Sequence, residues 1–375
     1  MPSKKSKKEE PQAPAQAAQP GAMPMMPGMP GMMPGAPGMM PGMPAQPQAN
    51  PMFAMMQMMQ MMMGGGMAPS MVDPAAVPFT TSGAQPDGDA GLDAEFIRPA
   101  TLSNLLKQQQ AVPMGSVLDL LCLTEDGQHA LGGVPKGCTI AFAGPPGKGK
   151  TRTVLAGLAR VALAGTRVAL VVAEEGFHDE ESSGRDDLAS RLTKIGMAAT
   201  GLNEKEFSKK VLENIYVLES QYHKGHSWDD FVTKYRYLVE KEEIGFVVVD
   251  SLNTLDPTKN RTADNLSALK TYNHEKGITC ICVGQIRDTG LPVGGEALQH
   301  TADVVFLLEE LTLGSKEMAA MWGGSYRDRI DVIRVVKCVT APTFPHPVRV
   351  AQEPVTGCLV VHEAQPADYP VPTPK

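Results

Sequence analysis

The chain has 375 residues with 34 Lys+Arg against 41 Asp+Glu, a formal charge of −7, which is length enough for two or three domains. Residues 1–94 hold 20 of the 24 methionines, and the remainder carries 30 Lys+Arg against 35 Asp+Glu, an acidic balance that argues against a basic nucleic-acid footprint. Lys4, Lys5, Lys7 and Lys8 are followed by neither an apolar run nor a cleavage site, so no signal peptide is expected.

Through residues 23–44 the pieces MPGM, MMPG and GAPG repeat a proline every few residues, which excludes a helix. With few branched or aromatic side chains to bury, 1–94 reads as a disordered Met/Pro/Gly-rich tail. Within it, 53–63 (FAMMQMMQMMM) lacks proline but is too short, and too interrupted by Gln57 and Gln60, to cross a bilayer. It reads as part of the tail, or as a helix whose thioethers grip a protein partner.

Residues 95–130 read as a helical linker or oligomerisation segment, with a short helix over 100–110 and Thr101 as its N-cap. From residue 100 onward apolar runs alternate with amphipathic ones, with 131–375 as the main domain. Strands are expected near 138–143, 167–173, 215–218, 246–250 and 278–283, and helices near 150–164, 185–195, 228–241 and 263–275. Four further strands follow, near 303–308, 330–337, 347–350 and 358–361. The pattern predicts an α/β fold: a mainly parallel twisted sheet flanked by helices, with an antiparallel C-terminal extension. Cysteines 122, 138, 280, 282, 338 and 358 show no metal-type spacing and are expected to be buried thiols of a reducing cytoplasm. Cys280 and Cys282 are expected on opposite faces of one strand.

The strongest signal is Gly144-Pro145-Pro146-Gly147-Lys148-Gly149-Lys150-Thr151, a G-x-x-x-x-G-K-[ST] loop between a buried strand and a helix. Gly144, Gly147 and Gly149 let backbone N–H groups turn toward a polyphosphate at the positive end of the helix. With Pro145, Pro146, Lys148 and Arg152 they form the nucleotide-binding candidates. Lys150 is placed to reach the β- and γ-phosphates, and the Thr151 hydroxyl to ligate Mg²⁺. The expected ligands are a nucleoside triphosphate and Mg²⁺.

Four further residues carry chemistry. Four apolar residues ending in Asp250 have the Walker B pattern, in which a buried strand delivers a metal-holding carboxylate to the ligand end of an open sheet. Glu174 and Glu175 end the strand after the P-loop helix, where a carboxylate orients or deprotonates the attacking water. An acid pair at a strand end also occurs with no such role. Gln285 follows Gly284 after another strand, where its amide either touches the γ-phosphate or merely caps the strand.

With these residues in place, the chain resembles the RecA superfamily. Leu131 to Gly137 looks like the entry to its ATPase core, and VVVDSLNTL (247–255) is similar to the Walker B segment of RecA and RadA/Sms. VGQIRDTG (283–290), GGEALQHTADVVFLLEE (294–310) and IRVVKCVTAP (333–342) follow in the same order, so the resemblance spans 131–342. It implies a RecA-like P-loop core packed head to tail, with ATP between subunits. It also implies that Glu174 is the catalytic glutamate, with Glu175 beside it as in KaiC-like proteins, and that Gln285 couples ATP to a DNA-facing loop. Lys337 is implied to reach into the neighbouring subunit's site. Loops 256–262 and 286–296, with Lys259, Arg261 and Arg287, are the implied DNA contacts. Val339 stands where RecA has a second lysine, and Cys338 to Ala341 replace the Asn-Arg-Phe-Gly run of RadA.

Three readings follow: a single-stranded-DNA-dependent ATPase of recombination or repair, a KaiC-like regulatory ring with protein partners, or a DnaB-like helicase motor. Each implies self-association into a filament or ring, and none implies a membrane.

Overall fold

Uncharged runs such as TIAFAG, VALVV and FVVV become strands buried on both faces, because each face of the sheet is covered by helices. The computed structural model describes residues 99–101, 107–178, 186–221, 225–255, 262–286 and 300–375. These lie in a unit spanning Arg98–Lys375. In chain order the elements are β1 (Ala111–Val112), β2 (Val134–Pro135), β3 (Thr139–Gly144), α1 (Lys150–Leu163) and β4 (Val168–Val172). Next come α2 (Leu188–Thr200), α3 (Glu204–Lys210), β5 (Ile215–Glu219), α4 (Trp228–Glu242), β6 (Phe246–Asp250) and α5 (Leu252–Leu255). The remainder is α6 (Thr262–Lys276), β7 (Thr279–Gln285), β8 (Val304–Thr312), α7 (Lys316–Trp322), β9 (Arg329–Cys338), β10 (Val348–Gln352) and β11 (Leu359–Val361).

The main sheet runs β11-β10-β9-β8-β3-β7-β6-β4-β5. From β5 across to β8 the neighbours are parallel, and from β8 to β11 they are antiparallel, the extension that the sequence predicts. Leu155, Leu158, Leu192 and Phe207 of α1, α2 and α3 pack with Ile140, Phe142, Leu170 and Val248 on one face. Phe231, Tyr235 and Leu269 of α4 and α6 pack with Val171, Val247 and Val249 on the other. The alternation of 247, 248 and 249 between the two clusters is the period-2 rule of a strand. Among the described residues, no helix is long and apolar enough to cross a membrane.

Several expectations need correction. Of the helix expected over 100–110, Pro99–Thr101 form a 3-10 turn and 107–110 no helix, and 102–106 lie outside the described residues. In the described part of 95–130, Met114, Val117, Leu118 and Leu121 join the cluster that holds α1. Asp119 organises this turn by accepting the amides of Met114 and Gly115, at 3.0 and 2.6 Å on Oδ2. Its burial raises its pKa to about 6 against those bonds. The helices α3, α5 and α7, of seven, four and seven residues, are too short to show a period, and in EKEFSKK only Phe207 is buried. Cys280 and Cys282 share a face, their Sγ atoms 3.8 Å apart, because residues two apart on a strand point the same way. All six cysteines are free thiols, four of them buried.

Candidate active site

Parallel strands end on a common rim, and register decides which ends meet. Gly144 of β3 lies beside Gln285 of β7, and Val172 of β4 beside Asp250 of β6. The P-loop leaves β3 at that rim and enters α1 through Gly149, a left-handed N-cap with φ 85°, and no side chain caps the helix. Its positive end therefore faces the rim.

Lys150 is buried and bends back over the loop, donating to Gly144 O at 2.8 Å and Pro145 O at 2.6 Å. Burial lowers its pKa to about 8, opposed by the charges of Asp250 and Glu174. Thr151 Oγ1 donates to Asp250 Oδ2 at 2.8 Å. Burial raises the Asp250 carboxyl to about 6; the Thr151 bond opposes this, and Glu174 and Glu175 add to it. The peptide bond between Asp250 and Ser251 is cis.

These groups line one cavity of about 270 Å³, together with Gly147, Lys148, Gly149, Arg152, Glu174 and Glu175. The donor set suits a Mg²⁺-polyphosphate. A lysine now satisfied only by its own loop's carbonyls is available to phosphate oxygens, and a hydroxyl beside a carboxylate under acidic neighbours suits a hard divalent cation. Gly144, Pro145 and Pro146 frame the loop without lining the cavity.

Other candidates lie elsewhere. Gln285 is exposed beside Gly144 and outside the cavity lining, with its backbone N–H 3.4 Å from Asn253 Oδ1. Lys337 pairs with Val305, which pairs with Ala141, so it lies three positions down the sheet from Gly144, toward the end opposite the P-loop. Its ammonium donates to His300 O at 2.5 Å, and its pKa is lowered by burial and by Lys270. Lys259, Arg261 and Arg287 fall outside the described residues.

The structure adds residues for which the sequence carries no motif. Arg191 of α2 lines the cavity and sits 2.5 Å from Glu175 Oε1. The antiparallel extension reaches the P-loop: Gln352 donates to Gly147 O at 2.8 Å, and Arg152 donates to Thr356 O at 2.8 Å. Lys148 pairs with Asp331 at 2.8 Å and Glu310 at 3.6 Å, which holds the first loop lysine against β8 and β9. Only strand register brings these partners together.

A family model described as "ATPase: KaiC" matches residues 113–348. A solved structure of a KaiC-like protein from the hyperthermophilic archaeon Pyrococcus horikoshii OT3 is 17% identical. It aligns over 68% of this chain and 99% of that one, with a TM-score of 0.48. No curated protein matches the chain.

Proposed function

This chain belongs to the KaiC family of ATPases, and we propose that it is a self-associating regulatory ATPase that hydrolyses ATP between subunits. The observation that supports this best is the Thr151–Asp250 hydrogen bond beside buried Lys150, with Glu174 at the rim of the same cavity.

In this reading the loop amides and the α1 terminus cradle the β- and γ-phosphates, and Lys150 exchanges its two carbonyl partners for phosphate oxygens. Thr151 and Asp250 hold Mg²⁺, which supplies positive charge at the phosphates. Glu174 orients a water. Its oxygen bonds to the γ-phosphorus as the bond to the β-phosphate oxygen breaks, and its proton passes to the Glu174 carboxylate. Positioning of this kind is most of what phosphoryl transfer asks of a protein.

Lys337 stands away from its own P-loop and serves an adjoining copy, where its charge offsets that of the γ-phosphate. Residues 131–375 are the ATPase domain, and the methionine-rich 1–94 recruits a protein partner through its soft thioethers. The RecA/RadA-like rival reading has single-stranded DNA as the partner, with Lys259, Arg261 and Arg287 on its phosphates and Gln285 as the coupler.

One experiment separates them: ATP turnover against protein concentration, with and without single-stranded DNA, over a salt series. Turnover that rises with concentration and ignores DNA supports the regulatory ATPase. Stimulation by DNA that fades as salt rises establishes the recombination reading instead. No turnover in the wild type, or none lost in Lys150→Ala, ends both.

A further inference from the structure

Two carboxylates follow β4, and the fold treats them differently. Glu175 Oε1 lies 2.5 Å from Arg191 Nη2, both side chains being about a quarter exposed (30% and 23%). Arg191 is itself fixed. The Asp187 side chain caps α2 by accepting from Ser190 N at 2.7 Å, and the Asp187 carbonyl accepts Arg191 Nε at 3.4 Å. The loop after Glu175 is fixed as well. Phe177 N donates to Glu219 Oε1 at 2.7 Å, and Phe177 O accepts from Ala189 N at 2.9 Å. The guanidinium and its carboxylate are thus held from both sides. Glu174 lines the same cavity, and its charge acts on both Lys150 and Asp250.

We propose that Arg191 is a positioning residue for ATP hydrolysis: by holding Glu175 in an ion pair across the cavity, it leaves Glu174 as the carboxylate that receives the proton of the attacking water. The inference rests on the ATPase reading above. Two like charges side by side compete for one proton and one water. A guanidinium fork on one of them ends the competition, and it does so with a fixed direction that an ammonium lacks.

The test uses the full chain and steady-state ATP hydrolysis. Arg191→Ala lowers kcat about 10-fold with KM for Mg-ATP within about 2-fold, since misplacement at the reacting centre acts on turnover more than on binding. Glu175→Gln removes the competing charge and loses less than Arg191→Ala, and the double variant recovers part of what Arg191→Ala loses, because the competitor is gone together with its clamp. Added guanidinium ion restores Arg191→Ala toward wild type, an effect that a purely structural role does not produce. Losses that multiply in the double variant overturn the assignment. So does a Glu175→Gln variant that is dead while Glu174→Gln still turns over. Wild-type and Lys150→Ala turnover, measured alongside, separate the two claims: failure of the ATPase reading shows in the parent protein, and failure of the Arg191 assignment shows only in the variants.

Discussion

Thr151 Oγ1 lies 2.8 Å from Asp250 Oδ2, although 99 positions separate them in the chain. The bond ties the first turn of α1 to the last residue of β6, and both residues line the cavity. Asp250→Asn keeps the bond and removes the charge. The expected outcome is a folded protein whose Mg²⁺-dependent turnover falls about 10²–10³-fold, the usual loss when one preorganised charge is removed from a reacting site. A Mg²⁺ titration of ATP hydrolysis checks it; an unchanged titration removes Asp250 from the metal site.

Burial sets the pH range. In the ligand-free protein Lys150 titrates at about 8 and Asp250 at about 6. Mg-ATP requires the ammonium of the first and the carboxylate of the second. The ratio kcat/KM, which reports on the free enzyme, therefore rises with pH through about 6 and falls through about 8. A profile flat across this span contradicts the assignment of both groups.

The same burial makes the charge of Lys150 a stability cost. Lys150 titrates below its ordinary 10.5, so between about 8 and 10.5 the unfolded chain binds more protons at this group than the folded one. Its contribution therefore rises with pH over that window and is least favourable at neutral pH. Lys150→Met is expected to abolish nucleotide binding while stabilising the nucleotide-free protein by about 1–2 kcal/mol at pH 7, as replacement of buried charge commonly does. Thermal unfolding without nucleotide measures this. A lower Tm means that the bonds to Gly144 and Pro145 outweigh desolvation.

Contact between the C-terminal extension and the P-loop is tested at two glycines. A Cβ at Gly149 (φ 85°) stands 2.4 Å from Gly357 O, whereas one at Gly147 (φ 72°) meets nothing within 4 Å. Both alanine variants bear the left-handed backbone cost of about 1–2 kcal/mol. Only Gly149→Ala adds a clash with backbone, so it is expected to be about 1–3 kcal/mol less stable than Gly147→Ala. Denaturant unfolding of the pair reads that difference directly, and equal stabilities mean that the turn yields freely.

Lys337 and Lys150 occupy different ends of the sheet. If each site is completed by a neighbour, Lys150→Ala and Lys337→Ala are each impaired alone. An equimolar mixture, dissociated and reassembled, recovers turnover that neither has. A mixture no more active than the mean of its parts places Lys337 outside the site.

The sequence by itself determined what local rules govern. The glycine spacing of the P-loop, the uncharged runs of β3, β4 and β6, and the acid at the end of β6 all report short-range constraints. They specified an α/β fold and brought Lys150, Thr151, Asp250, Glu174 and Glu175 forward as one set. Long-range register was legible in part: the antiparallel extension followed from a run of strands with few helices among them, but not that Gln352 and Asp331 would lie on the P-loop. Arg191 carries no local mark, because its meaning comes from a helix packed across the cavity from β4. The core role of Met114, Val117 and Leu118 was hidden for the same reason, since a short apolar turn has no period. Tertiary structure alone decided which cation faces which carboxylate, because charge pairing depends on distance through space, and the chain encodes that distance only after strands pair and helices pack.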